Sequence, residues 1–226
     1  MSNSFATAAL LWSVATVAGT DLVSVLQGLV SRPLVAGTAA GWLLGDIEMG
    51  LRVGAALELF ALDVIPVGSS RYPDFGAATV AAVWFGAGTD WLQTLGVATA
   101  IGLGLAGIAG ATLPLTRRLN ARVVRSYGDR LGRGDPTAVT AVHLTCLGHD
   151  FVRSGVVALG SIGAAAWLRS TGWVPDAELG TALNLAVLAG ATWAVGHGAM
   201  SSGRAGPRWR WALAGLAVGI ALVVAP

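Results

Sequence analysis

The chain has 226 residues, of which 54% are hydrophobic and only 12% are charged, and its formal net charge is +2. A soluble globular domain has about a quarter of its residues charged, and the mean hydropathy of this chain is +0.69. The composition therefore excludes an ordinary soluble domain and predicts an all-α, polytopic membrane protein. Because a helix needs roughly 20 apolar residues to cross the hydrocarbon core, the chain has room for about five to eight crossings.

The N-terminal 74 residues form the unusual part of the chain. An apolar segment covers about residues 5–27 and is followed by a glycine and an Arg-Pro pair. The next apolar runs, at about 33–45 and 51–62, are too short for conventional spans and are separated by charged residues. Short apolar segments of this kind are typical of transporters, in which broken helices line a cavity. We therefore expect broken or re-entrant helices in region 1–74.

After residue 74 the pattern becomes that of ordinary membrane helices. We divide the single integral membrane domain, 1–226, into the broken-helix region 1–74, membrane helices at 75–116, an Arg-rich loop at 117–135 and C-terminal helices at 136–226. The hydropathy predicts apolar segments at about 75–88, 91–116, 151–169, 179–200 and 211–225, with a short segment of mixed polarity at 137–150.

The placement of charge predicts which loops face the cytoplasm. The chain contains no Lys, and its arginines are concentrated at 117–133 and at 204–210, whereas Asp176 and Glu178 lie between these groups. By the positive-inside rule, 117–135 and 201–210 are cytoplasmic and 170–178 faces outward. Long apolar segments flank the first arginine group on both sides, so we expect no nucleic-acid site there. We favour an anchor to anionic lipid over contact with a soluble partner as the use of this group.

Glycines recur at four-residue spacing in the broken-helix region, at Gly37, Gly41 and Gly45 and again at Gly50 and Gly54. On a helix this spacing makes a smooth face that another backbone can approach closely. We favour tight packing within the chain over docking of a partner subunit as the use of this face.

Glu58 is the strongest candidate for a functional residue. It sits in the apolar stretch AALELFAL, and the four residues on either side of it are uncharged. Ionisable residues in a membrane are costly and are functional candidates by default. A carboxylate can accept hydrogens from two sugar hydroxyl groups, so we expect Glu58 to bind a sugar, or otherwise to bond another helix.

Three further polar residues are candidates for the same site. Asp46 follows Gly45 and precedes a helical pattern, so it is either a helix N-cap or a ligand group. Asp74 follows a proline and can cap the next segment, bind a substrate or pair with Arg71. Gln27 lies at the end of the first apolar segment, where it can bind a hydroxyl group or satisfy a broken helix end.

His143, His149 and Asp150 form the pattern HLTCLGHD. The six-residue spacing of the two histidines does not place them on one face of a helix, so we expect no metal site there. We also expect no cofactor, and no enzymatic activity from this chain alone.

The stretch from Ser31 to Ala78 resembles the signature of the membrane subunit IIC in the mannose–fructose–sorbose family of bacterial sugar phosphotransferase systems. The matching elements are Arg32-Pro33-Leu34, Leu44-Gly45-Asp46, Gly50, Gly54, Leu57-Glu58, Val67-Gly68 and Pro73-Asp74. Together they cover about 45 residues.

This resemblance implies a function and a set of partners. Subunit IIC forms the sugar pathway with a second membrane subunit, IID, while soluble IIA and IIB carry phosphate and IIB phosphorylates the arriving sugar. The family moves its substrate by an elevator-type movement and assembles as a trimer of IIC–IID pairs in the bacterial inner membrane. The histidines of this chain are not expected to carry phosphate.

Three hypotheses follow. The first is a sugar-translocating IIC subunit, in which Glu58, Asp74, Gln27 and Asp46 contact the hydroxyl groups of a hexose or related sugar. The second is an assembly subunit of such a complex that does not itself transport. The third is an unrelated transporter that couples uptake to protons through Glu58.

Overall fold

The structure is a computed structural model that describes residues 4–22, 24–25, 28–62, 64 and 71–201, with residue 4 and residues 197–201 described by their backbone alone. Within this part of the chain, every regular element is a helix, which confirms the predicted all-α fold. The helices are α1 (Ser4–Asp21), α2 (Pro33–Leu44), α3 (Ile47–Ala61), α4 (Phe75–Gly86), α5 (Trp91–Ser126), α6 (Gly128–Gly132), α7 (Pro136–Ser170) and α8 (Ala177–Ser201). The apolar segment predicted at 211–225 lies outside the described residues.

Helices α2 and α3 form a hairpin in which the two backbones touch. Gly45 ends α2 in the left-handed conformation, with φ of 74°, and the Asp46 carboxylate then caps α3 by accepting the Met49 N–H at 3.0 Å. A Cβ atom added at Gly37 would lie 2.6 Å from the carbonyl oxygen of Gly50, so only glycine fits there. The glycine face therefore serves packing within the chain, as predicted.

Three helices in this half of the chain are too short to cross a bilayer. Helices α2, α3 and α4 have 12, 15 and 12 residues. At a rise of 1.5 Å per residue they span about 18, 22 and 18 Å, whereas the hydrocarbon core is about 30 Å thick. Helices α2 and α3 are the broken helices that the short apolar runs predicted. The segment at 75–88 was predicted to be an ordinary membrane helix, and that prediction was wrong, because α4 ends after 12 residues.

Helix α4 lies at the centre of the bundle and packs against α1, α2, α3, α5 and α7. It is apolar on every face, as expected for a helix that is buried all round, and all of its residues except Trp84 are buried. At its carboxyl end, the Arg169 guanidinium on α7 donates to the carbonyl oxygens of Trp84 and Ala87, at 2.6 and 2.8 Å. This contact places a cation at the negative end of the helix dipole.

Helices α5 and α7 are longer than predicted, with 36 and 35 residues. The Arg-rich segment 117–135 was predicted to be a loop, but α5 continues through it to Ser126 and α6 follows. Arginine is a good helix former, so an apolar helix can run on into such a segment. The segments predicted separately at 137–150 and 151–169 are likewise a single helix, α7. With α8, these are the three helices in the described part that are long and apolar enough to cross a membrane.

A capped turn joins α6 to α7. Asp135 accepts the backbone N–H of Thr137 at 2.9 Å, and its carboxylate pairs with Arg130 at 2.8 Å. Hydrogen bonds from the Thr137 hydroxyl and from Arg130 hold the pKa of Asp135 well below its usual value. Pro136 fills the first helical position, where no N–H is needed. The turn is therefore an ordered structure.

Helix α8 runs parallel to α5 and is clipped to it by one side chain. The Asn184 amide donates to the Leu92 carbonyl oxygen and accepts the Gly96 N–H, both at 2.7 Å. In a regular α-helix, the Gly96 N–H would donate to the Leu92 carbonyl oxygen, so the Asn184 amide bonds to two groups that would otherwise bond to each other. Because the helices are parallel, α5 and α8 end on the same side of the bundle. The second arginine group, at 204–210, follows α8 in sequence. The prediction that both arginine groups face the cytoplasm agrees with this arrangement and stays a prediction.

Candidate functional site

A cavity of about 90 Å³ lies where α1 and α3 end and where α2 and α4 begin. Its described lining includes Ser31, Arg32, Ala61, Tyr72 and Phe75. Pockets that enclose a drug-sized ligand have volumes of about 300–1,000 Å³, so this cavity is small in the present conformation. Segments 26–27 and 65–70, which flank lining residues in sequence, lie outside the described residues.

Glu58 stands behind one wall of this cavity and has a charged partner. Its carboxylate pairs with the Arg32 guanidinium and also accepts the Leu34 N–H at 3.2 Å. The side chain of Glu58 is 17% exposed, whereas that of Arg32 is 42% exposed and lines the cavity. The sequence neighbours of Glu58 are uncharged, but the hairpin brings the start of α2, with Arg32, against the end of α3.

Asp74 lies between the cavity-lining residues Pro73 and Phe75 in sequence and forms a buried ion pair. Its carboxylate accepts from the Arg153 guanidinium on α7 at 2.8 Å, with side-chain exposures of 0% and 6%. Arg153 also donates to the Gly19 carbonyl oxygen at 3.1 Å and lies 3.4 Å from the Thr112 hydroxyl. One guanidinium therefore ties together α1, α5, α7 and the start of α4. The expected partner of Asp74, Arg71, is not the residue that pairs with it.

The backbone around Asp74 is docked onto α5. The Asp74 N–H donates to the Ala106 carbonyl oxygen at 2.9 Å. A Cβ atom at Gly110 would overlap the carbonyl group of Tyr72, so glycine lets this segment lie directly on the helix. Asp74 occupies the N-cap position of α4, but its side chain makes no capping hydrogen bond. The contact with Arg153 is thus the main role of the carboxylate in this conformation.

Asp46 lies apart from the cavity, at the closed end of the α2–α3 hairpin. One carboxylate oxygen caps α3 at Met49 and the other accepts the Gly88 N–H at 2.8 Å. Gly88 follows the carboxyl end of α4, whereas the cavity adjoins the amino end, about 18 Å away along 12 residues. Both oxygens of Asp46 thus bond to backbone, and the structure does not bring Asp46 together with Glu58 and Asp74. Gln27 lies outside the described residues.

Asp21 is a buried residue of this region that the sequence did not single out. One of its carboxylate oxygens accepts the N–H groups of Val30 and Ser31, at 2.8 and 2.6 Å. The residue is only 1% exposed. It therefore fixes Val30 and Ser31, the two residues directly before Arg32 in the cavity wall. The available signal was an acidic residue near the end of an otherwise apolar segment.

Helix α7 contributes further buried polar groups near Arg153. Asp150 is 7% exposed and accepts a hydrogen bond from the Ser24 hydroxyl. Its neighbour His149 lies 2.8 Å from the Asn120 side-chain oxygen. His149 and Asp150 of the pattern HLTCLGHD therefore contact α5 and the segment that follows α1. Asp150 and Arg153, spaced three residues apart, were the signal that one face of this helix is polar.

The fold is similar to that of two solved structures. One, described only as a membrane protein, superposes with a TM-score of 0.71 over 96% of this chain and 87% of its own, at 22% identity. The other, the mannose transporter ManYZ in complex with microcin E492, gives a TM-score of 0.63 over 100% of this chain and 89% of its own, at 20% identity. The broken helices, the three membrane-length helices and these likenesses define a multi-pass α-helical membrane protein.

The sequence places the chain within a family. Residues 5–201 match the family model of the sorbose-specific IIC component of the phosphotransferase system. The chain belongs to this family, which agrees with the resemblance in the broken-helix region. It is therefore a mannose-family IIC membrane component.

Individual relatives agree with this membership. The chain is 31% identical to the fructose permease IIC component of Bacillus subtilis over 150 residues, covering 64% of this chain and 55% of the relative. It is 27% identical to the mannose-specific EIIC component of Escherichia coli over 152 residues, covering 66% and 55%. It is 31% identical to the sorbose-specific EIIC component of Klebsiella pneumoniae over 130 residues, covering 57% and 47%. The chain thus spans about half the length of these relatives.

Proposed function

We propose that this chain is the sugar-translocating subunit of a mannose-type phosphotransferase system and carries a hexose or related sugar inward with a IID partner. The observation that carries the proposal is the cavity where α2 and α4 begin and α3 ends, which Arg32 lines while its guanidinium pairs with Glu58. Broken helices that meet at a polar cavity are the usual construction of a substrate site within a membrane. Family membership supports the same conclusion.

Within this proposal, the two carboxylates have separate roles. Glu58 holds Arg32 at the cavity, and Asp74, through Arg153, holds the wall formed by residues 72–75. Gln27 remains a proposed contact to a sugar hydroxyl group. We assign Asp46 to capping, because both of its oxygens already bond to backbone.

The proposed setting follows from the family. The chain resides in the bacterial inner membrane, and the phosphoryl transfer takes place on IIA and IIB. An elevator-type movement would open the small cavity to either side of the membrane. Assembly as a trimer of IIC–IID pairs belongs to the same proposal.

The test is uptake of labelled hexoses by vesicles that carry this chain with its candidate IID and contain phosphorylated IIB. The Glu58→Gln variant should abolish uptake while leaving membrane insertion and IID binding intact, because the neutral amide loses the ion pair with Arg32. The matched control is Glu48→Gln. Glu48 also pairs with an arginine, Arg52, but it lies on the first turn of α3 and its side chain is 71% exposed. Normal uptake by Glu58→Gln would refute the site.

The same assay separates the rival functions. A stable complex with IID but no accumulation of any sugar would favour an assembly subunit. Uptake that needs a pH gradient and no phosphoenolpyruvate would favour a proton-coupled transporter. The pairing of Glu58 with Arg32 weighs against the third hypothesis, because Glu58 already has a cation as its partner.

A further inference from the structure

Arg32 is the charged group that reaches the cavity. Among the described lining residues it is the only one with a charged side chain. Its guanidinium is 42% exposed, although one edge of it pairs with Glu58. A guanidinium has five N–H donors in a planar fork, and a single carboxylate cannot accept all of them. Arg32 therefore has donors available to a molecule in the cavity.

Hydrogen bonds to the residues before and after Arg32 in sequence fix its backbone position. Before it, the buried Asp21 carboxylate accepts the N–H groups of Val30 and Ser31. After it, the Arg32 carbonyl oxygen accepts the N–H groups of the first turn of α2, with the Val35 N–H at 3.0 Å. Glu58 then orients the side chain. A side chain binds a ligand more tightly when neighbouring residues already hold it in the binding geometry.

We infer that Arg32 donates hydrogen bonds directly to the hydroxyl oxygens of the sugar, with Asp21 and Glu58 as its positioning residues. The inference rests on the proposed function and names the contact within that site. Phe75 in the cavity wall supplies an aromatic side chain beside Arg32. Tyr72 lines the same wall, and the Arg117 guanidinium lies 5.3 Å from the centre of its ring. Such a combination of polar and aromatic groups is usual in small-molecule sites.

The charge balance at this position favours a neutral sugar. The Arg32 cation is already compensated by the Glu58 anion. A sugar acid would add a second anion beside that pair, and an uncompensated charge is costly away from water. We therefore expect neutral hexoses to bind in preference to their uronic acids.

The experiment is equilibrium binding to membranes that contain this chain and its candidate IID. The probes are radiolabelled mannose, fructose and sorbose, with mannuronate as the anionic counterpart of mannose. Arg32→Gln should weaken binding of the neutral sugar about ten- to hundredfold, as expected for loss of hydrogen bonds to a charged group. Arg32→Lys should weaken it less, because the cation remains but the planar fork is lost. The matched control is Arg52→Gln, which breaks an ion pair on α3 without touching the cavity.

A second measurement covers the case in which Arg32→Gln does not fold. Arg32→Lys keeps the cation that pairs with Glu58 but loses the planar fork. Binding of mannose and of its single-deoxy analogues is compared between the wild type and Arg32→Lys. If Arg32 contacts a hydroxyl group, removal of that group costs the wild type more affinity than it costs Arg32→Lys, and equal losses for every analogue argue against the contact.

The outcomes separate the two proposals. If the wild type binds a neutral sugar and Arg32→Gln binds as well as Arg52→Gln, the inference on Arg32 is overturned while the proposed function stands. Tighter binding of mannuronate than of mannose overturns the preference for a neutral sugar. If the folded wild-type complex binds none of the sugars, the proposed function fails and the inference fails with it.

Discussion

The buried ion pair between Arg153 and Asp74 provides the sharpest test of the packing of this bundle. The perturbation is Arg153→Met, which keeps much of the side-chain volume and removes the charge. The variant leaves the Asp74 carboxylate without its cation at 0% exposure. It also leaves the Gly19 carbonyl oxygen without its 3.1 Å donor.

The expected magnitude follows from these contacts. Removing one partner of a buried ion pair destabilises a protein by about 3–5 kcal/mol. For a chain of this size, each kcal/mol lowers the Tm by about 2–4 °C. Arg153→Met should therefore lower the Tm by roughly 6–20 °C. The double variant Asp74→Leu with Arg153→Met should recover most of this loss, because a buried pair can often be replaced by apolar groups at little cost.

The assay is thermal unfolding of the protein in detergent, followed by the fluorescence of its nine tryptophans. The two single variants, the double variant and the wild type form a complete cycle, so the coupling between the two residues is measured directly. A Tm for Arg153→Met within about 2 °C of the wild type, well below the expected range, would show that the pair does not hold the bundle together. A double variant as unstable as the single one would show that the loss comes from packing and not from charge.

Two further predictions concern close contacts between helices. Gly37→Ala places a Cβ atom 2.6 Å from the carbonyl oxygen of Gly50, so it should destabilise the α2–α3 hairpin by about 1–3 kcal/mol and lower the Tm in the same assay. Gly107→Ala, on α5 with open space around it, is the matched control and should leave the Tm unchanged or raise it slightly. Asn184→Ala removes both hydrogen bonds that clip α8 to α5 and should cost about 1–2 kcal/mol, as polar contacts between membrane helices do. An unchanged Tm for Asn184→Ala would show that the clip adds nothing to the packing of α8.

The sequence alone determined the class of the protein and the position of its unusual region. Composition requires lipid around the chain whatever its partners are, so a membrane protein follows from counting residues. The broken helices follow from run length, because an apolar run of 12 residues cannot span a bilayer in any tertiary arrangement. The glycine spacing at Gly37 and Gly41, and again at Gly50 and Gly54, was likewise interpretable, since the helical repeat alone places each pair on one face of its helix.

Only the tertiary structure decided how the charged residues are used. Glu58 looked isolated because its neighbours in sequence are apolar, yet its partner, Arg32, comes from the other helix of the hairpin. Asp74 pairs with Arg153, which is far away in sequence and is brought to it by the packing of α7 on α4. The roles of Asp46 and Asp21 depend on which backbone N–H groups approach them. An ion pair or a cap is a relation between two places in space, and the local pattern of a chain specifies only one of them.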